Sequence, residues 1–120
     1  MSIQHGMSGP YPLDKATVDR TVAQAKGVYA LGKNVSQVSM TANYVGRSDV
    51  DLNERLKQWV DTRKYSSFMF KTVLTVKEAY ERECELYHAL SDLDNEVHPA
   101  QPAGTNYTCP VCAFPNQRFR

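Results

Sequence analysis

A disulfide framework is the first thing this chain lacks. Its three cysteines are an odd number, and two of them stand together in Cys109-Pro-Val-Cys112, a spacing that suits a metal better than a bridge. Excess charge of either sign is missing too. Fourteen Lys and Arg face thirteen Asp and Glu, a formal net charge of +1, so any polyanion would have to be met by locally clustered basic residues rather than by an overall field. No apolar run is long enough for a membrane span or for the core of a signal peptide, so the expectation is a cytoplasmic chain without a membrane partner. Internal repeats and low-complexity tracts are absent. The 120 residues suffice for one domain and not for two, and the hydrophobic share of 42% is that of an ordinary globular protein.

What the chain does contain is a succession of short elements. Residues 1–12 mix His, Gly, Ser and Pro without periodicity and read as a flexible N-terminal tail. A short helix is expected after Leu13, capped by Asp14, with Val18, Val22 and Ala25 on one side. Gly27 to Gly32 reads as a strand, Lys33 to Thr41 as a polar connection, and Asn43 to Arg47 as a second strand, most economically an antiparallel hairpin. Ser48 or Asp51 can cap a helix that buries Leu52, Leu56 and Val60 together with Trp59. Tyr65 to Leu74 reads as a third strand. Thr75-Val-Lys-Glu78 then has the form of a capping box, opening a long amphipathic helix from Lys77 to Asn95 with Ala79, Leu86 and Leu90 as its core stripe. Glu83 lies in its middle, and Cys84 and His88 share a face about 100° away. Four of the six prolines follow residue 95, so the tail beyond needs a staple.

Five of these stretches resemble, in order, the motifs of one nuclease family. Gly27-Val28-Tyr29 and Tyr44-Val45-Gly46 are similar to the two signature tripeptides of the GIY-YIG endonucleases, with Val for Ile in both. Leu52-Asn-Glu-Arg55-Leu56 resembles the family's helical arginine motif, Ala79-Tyr-Glu-Arg-Glu83 its glutamate motif, and Asn95 stands by spacing where the family carries a terminal asparagine, with Asn106 a rival. The similarity covers residues 27–95. Trp59 replaces a His that some relatives carry one turn after the arginine.

The resemblance implies a metal-dependent endonuclease that hydrolyses phosphodiester bonds of duplex or branched DNA. Glu83 would hold one divalent cation, Mg²⁺ or Mn²⁺, as a hard carboxylate suited to such an ion. Tyr29 would contact the attacking water, as a base if its phenol pKa falls below the usual 10 or so and otherwise as a positioning group. Tyr44 would orient water or phosphate, and Arg55 would clamp the phosphate with its planar fork of donors. Asn95 would fix the glutamate region or the substrate, Gly46 would let backbone approach it, and Arg47 is a further phosphate contact. Target choice would then rest with a protein partner or a homo-oligomer, and the near-zero net charge predicts weak, salt-sensitive DNA binding.

A second metal is expected from the residues themselves. Cys109 and Cys112 supply half of a tetrahedral zinc site, and Cys84 with His88 supplies the other half from one helical face, with His98 the alternative to His88. The expected architecture is α+β: a central, mostly three-stranded antiparallel sheet flanked by helices over residues 13–97, with residues 98–120 as a zinc-stapled extension. A contrasting reading keeps that fold and zinc but has no turnover, leaving a nucleic-acid or protein-binding module. The two differ in whether Tyr29, Tyr44, Arg55 and Glu83 converge on one hollow.

Overall fold

The computed structural model describes residues 3–4, 6–34 and 40–113. Its helices begin where short polar side chains can take up the first free amides. Asp14 accepts from Thr17 N at 2.7 Å and starts α1 (Lys15–Thr21), Asp51 accepts from Glu54 N at 3.0 Å and starts α2 (Leu52–Thr62), and Thr75 accepts from Glu78 N at 3.0 Å and starts α3 (Val76–Ala89). Ser48 serves the preceding turn instead, accepting from Asp51 N at 2.9 Å. The third helix is shorter than its pattern promised. It stops at Ala89 with Leu90 as an extended cap, so Asn95 lies beyond it.

Four substantial strands and a two-residue fifth form one antiparallel sheet: β1 (Ile3–Gln4), β2 (Met7–Pro12), β3 (Gly27–Asn34), β4 (Met40–Ser48) and β5 (Ser67–Thr72), in the order β1-β2-β5-β3-β4. The expected three strands are therefore too few. Residues 7–12 are a strand rather than part of a loose tail, since Met7–Pro12 pairs along β5 and buries Met7. Prolines hid this strand. Ser8 pairs with Phe70 and Tyr11 with Phe68, so Gly9 and Pro10 together face one residue, and this bulge seats a proline that has no amide to give to the ladder. The β3–β4 hairpin is antiparallel as expected, and residues 35–39 of its connection lie outside the described residues, as do residues 114–120 of the extension.

Period-two alternation sends the strands' side chains to opposite faces, so the sheet has two cores. Tyr29, Leu31 and Phe68 meet Val18, Leu52 and Leu56 of α1 and α2 on one face, while Val28, Ala30, Val45 and Met69 meet Leu86 of α3 on the other. The layers are thus helix, sheet, helix. β4 is the outermost strand, and both helical layers can be reached around it.

Candidate active site and metal centre

Four separate segments bring their functional side chains to one place beside β4. Tyr29, Tyr44, Gly46, Arg47, Asp49, Arg55 and Glu83 line a single hollow of about 470 Å³, with Ala100 of the tail on its rim. The register explains the meeting: Tyr29 pairs with Gly46 and Leu31 with Tyr44, while Val28 pairs with Arg47. Tyr44 therefore faces the α2 side, where Arg55 projects, and Arg47 faces the α3 side, where Glu83 projects. A larger hollow of about 640 Å³ lies around Lys33, Lys64, Asp94 and Glu96 and contains none of these groups.

Tyr29 is only 1% exposed. The Trp59 indole N–H donates to its hydroxyl at 2.8 Å, and burial pushes its phenol up to about 12 in spite of that bond and the nearby Arg55 guanidinium. The lowered phenol that a general base would need is therefore not what burial produces here. Tyr44 is half-buried, with a phenol raised by burial and by the negative charge of Glu83. Gly46 does something other than admit substrate backbone: a Cβ there would run into the Tyr29 hydroxyl and ring. Glycine at this position is what lets the tyrosine reach the hollow.

Glu83 is 7% exposed. Burial raises its carboxyl, and Arg47 works against that rise through a 2.7 Å bond from NH1 to Oε1. Arg47 also donates from Nε to Asp49 Oδ1 at 2.9 Å and lies over the Tyr80 ring. Here the expected phosphate contact is corrected. Arg47 is engaged by two carboxylates, while the exposed Arg55 donates to Arg47 O at 3.3 Å, lies within hydrogen-bond reach of the Tyr29 hydroxyl and faces the hollow. One buried, hard oxygen donor with space beside it fits the chemistry of a Mg²⁺-type ion.

Asn95 is absent from the hollow. Its side chain accepts from Val45 N at 3.0 Å and donates to Val45 O at 2.8 Å, fixing β4 between Tyr44 and Gly46. The expected catalytic role is thereby replaced by a positioning one, because the short helix leaves Asn95 on the tail as it runs back along the strand.

The second centre gathers His88, His98, Cys109 and Cys112, whose donor atoms all lie within 4.8 Å of one another. Such a cluster could hold a metal such as zinc. His88 Nε2 is 3.2 Å from His98 Nε2, which is 3.5 Å from Cys112 Sγ. With Zn–N near 2.0–2.1 Å and Zn–S near 2.3 Å, a tetrahedron has edges of about 3.3 Å and about 3.5 Å for such pairs. Val111 N and Cys112 N both donate to Cys109 Sγ, at 3.3 and 3.4 Å. Burial opposes ionisation of this thiol, yet those two amides and His98 bring it down to about 6, the thiolate form a metal takes. Cys84 is the correction. It is fully buried with Tyr80 and Cys109, its thiol raised to about 12 by burial, and it stands under the cluster rather than in it. Both histidines stand in the cluster instead of one.

Two participants escaped the sequence reading in these roles, Trp59 as the donor to Tyr29 and Asp49 as the second anchor of Arg47, while His98, expected as an alternative to His88, joins it in the cluster. Trp59 lies one helical turn after Arg55 and Asp49 two residues after Arg47, spacings that put each on its neighbour's face. No family model, curated protein or solved structure gives a significant match to this chain.

Proposed function

We propose that the chain is an endonuclease of the GIY-YIG type that hydrolyses phosphodiester bonds in DNA. The observation that carries this reading is the convergence of Tyr29, Tyr44, Arg55 and Glu83, from β3, β4, α2 and α3, on one hollow. Three of these residues, Tyr29, Tyr44 and Arg55, come from the α2 side of the sheet and Glu83 from the α3 side, so the hollow joins both helical layers with residues ordered along the chain like the family's motifs.

In the proposed reaction Arg55 binds the scissile phosphate and meets the charge that grows on its non-bridging oxygens. Tyr29, protonated and pinned by Trp59, positions the attacking water, and Tyr44 orients water or phosphate from the other side. The water oxygen bonds to phosphorus and releases one proton to solvent, the bond from phosphorus to the leaving oxygen breaks, and a proton from solvent reaches that oxygen. Mg²⁺ or Mn²⁺ held at Glu83 would supply neutralisation of the phosphate and the departing oxygen. Arg47 and Asp49 keep the Glu83 carboxylate aimed.

At the second centre we propose structural zinc, since four protein ligands leave no open position. One observation favours the non-catalytic alternative: Glu83 already has a guanidinium partner in Arg47. Cleavage of supercoiled plasmid and of branched DNA with Mg²⁺ or Mn²⁺ separates the two readings. Cutting by the intact protein that disappears in Glu83→Ala, and falls in Tyr29→Phe, supports the nuclease. Folded, zinc-loaded protein that cuts none of these substrates argues for the binding module.

A further inference from the structure

A smaller cleft of about 250 Å³ adjoins the hollow, sharing Tyr29, Tyr44 and Arg55 with it and adding Gln58, Trp59 and Thr62. One of its walls is aromatic. The rings of Tyr44 and Trp59 are 4.7 Å apart, centre to centre, and Tyr65 backs both at 6.3 and 5.8 Å. Packing against the core accounts for the covered parts of these half-buried rings, not for the parts of Tyr44 and Trp59 that line a cleft. Gln58, which also lines the cleft, is exposed, and among the described residues no hydrogen bond holds its amide. Arg55 stands where the two spaces meet.

We infer that this cleft binds an unpaired nucleobase next to the phosphate held at Arg55, so that the preferred substrate has single-stranded character at the cut. The inference rests on the proposed function for the phosphate at Arg55. The space is smaller than the roughly 300–1,000 Å³ of a site for a drug-sized molecule, and so is scaled for one small planar group. Every base offers a π-face to an aromatic wall, which makes the contact tolerant of sequence. A glutamine amide both donates and accepts, matching the mixed edge of a base. Continuity with the phosphate site selects the occupant, because a nucleotide anchored at Arg55 carries its own base to the neighbouring space. A base stacked within a duplex would first have to leave its partner, whereas one in a flap or junction is already free.

Trp59 is the chain's single tryptophan, so its emission reports on the cleft directly. The zinc-loaded protein, without added Mg²⁺ or Mn²⁺ so that no strand is cut, is titrated with a short single-stranded oligonucleotide, an all-abasic strand of equal length and charge, and a blunt duplex. The expected result is saturable quenching by the base-bearing strand and binding weaker by roughly 5- to 100-fold for the abasic strand, the range that stacking of one base supplies. Gln58→Ala, an exposed helical change that leaves Trp59 in place, is expected to weaken the base-bearing strand several-fold and the abasic strand not at all. Equal affinities for the two strands, or a bound base-bearing strand that leaves the emission unchanged, would overturn the inference. Quenching without cutting in Mg²⁺ would remove the hydrolysis and keep the cleft. Cutting of duplex and single strand at equal rates, without quenching, would do the reverse.

Discussion

Glu83 and His88 lie five residues apart on one helix, yet the sites they serve are held together in opposite ways. In the hollow Tyr29, Glu83 and Arg47 already have protein partners: Trp59 for Tyr29, Arg47 for Glu83, Asp49 for Arg47. These partners sit on a strand pair and two helices whose apolar faces fix them independently of any ligand. At the metal centre, two imidazoles and two thiols point at one another from a helix end and a tail without regular structure. Such donors reach full coordination only with an ion between them. The first site is preformed by packing, whereas the second, on the zinc proposed for it, would gain part of its order from what it binds.

That contrast predicts different responses to damage. The largest effect is expected from Glu83→Ala, a fall in DNA cleavage of roughly 10³-fold or more with the circular dichroism of the fold retained; an unchanged rate would end the catalytic assignment. Next comes metal removal. Chelation, or Cys109→Ser, is expected to release the backbone amides of residues 98–113 to hydrogen exchange while the amides of β3 and β5 stay protected. Loss of protection throughout the sheet would mean that the contrast is wrong and that the ion holds both regions. Gly46→Ala should reverse the usual mildness of such a change. By crowding Tyr29 it is expected to cost about 1–3 kcal/mol in denaturant melts, and to slow cleavage beyond what that loss explains.

Two smaller effects bear on Tyr29. Its phenol is raised to about 12 by burial, above the usual value of about 10 in an unfolded chain. Below pH 10 both states hold the proton and stability is unaffected. As pH climbs from 10 through about 12 the unfolded chain loses the proton first, so Tyr29 alone should remove about 1.4 kcal/mol of stability per pH unit, and Tyr29→Phe should lessen by that much a slope to which the raised phenols of Tyr44, Tyr65 and Tyr80 also contribute. Smallest is Trp59→Phe, which removes one hydrogen bond for about 1 kcal/mol of stability while keeping a ring beside Tyr44. A spectrophotometric titration and a thermal melt check the pair.

Local chemistry was legible in the sequence. Asp14, Asp51 and Thr75 declare themselves as caps because each answers to amides three residues away, and the alternation of Val28, Tyr29, Ala30 and Leu31 shows which side chains share a face. Distant partnership was not. Met7–Pro12 becomes a strand only because β5, sixty residues on, offers a bulged register that forgives Pro10. The choice between Cys84 and His98 depends on where the tail returns, and helical spacing says only that Cys84 and His88 are on one face, not that both reach the same point. The order of the motifs led to four residues that share a hollow, while of their supports Trp59 read as a core residue and Asp49 gave no signal.

Asn95 has a consequence outside chemistry. β4 ends the sheet, and an uncovered final strand is a template on which another chain's strand can add. By taking both the N–H and the C=O of Val45, with Asp94 N bound to Asn43 O alongside, the tail occupies that template with two residues of its own. Copies of the molecule are thereby denied a continuous strand to pair with at this border, and the seam beside the hollow is kept from being sealed by a neighbour.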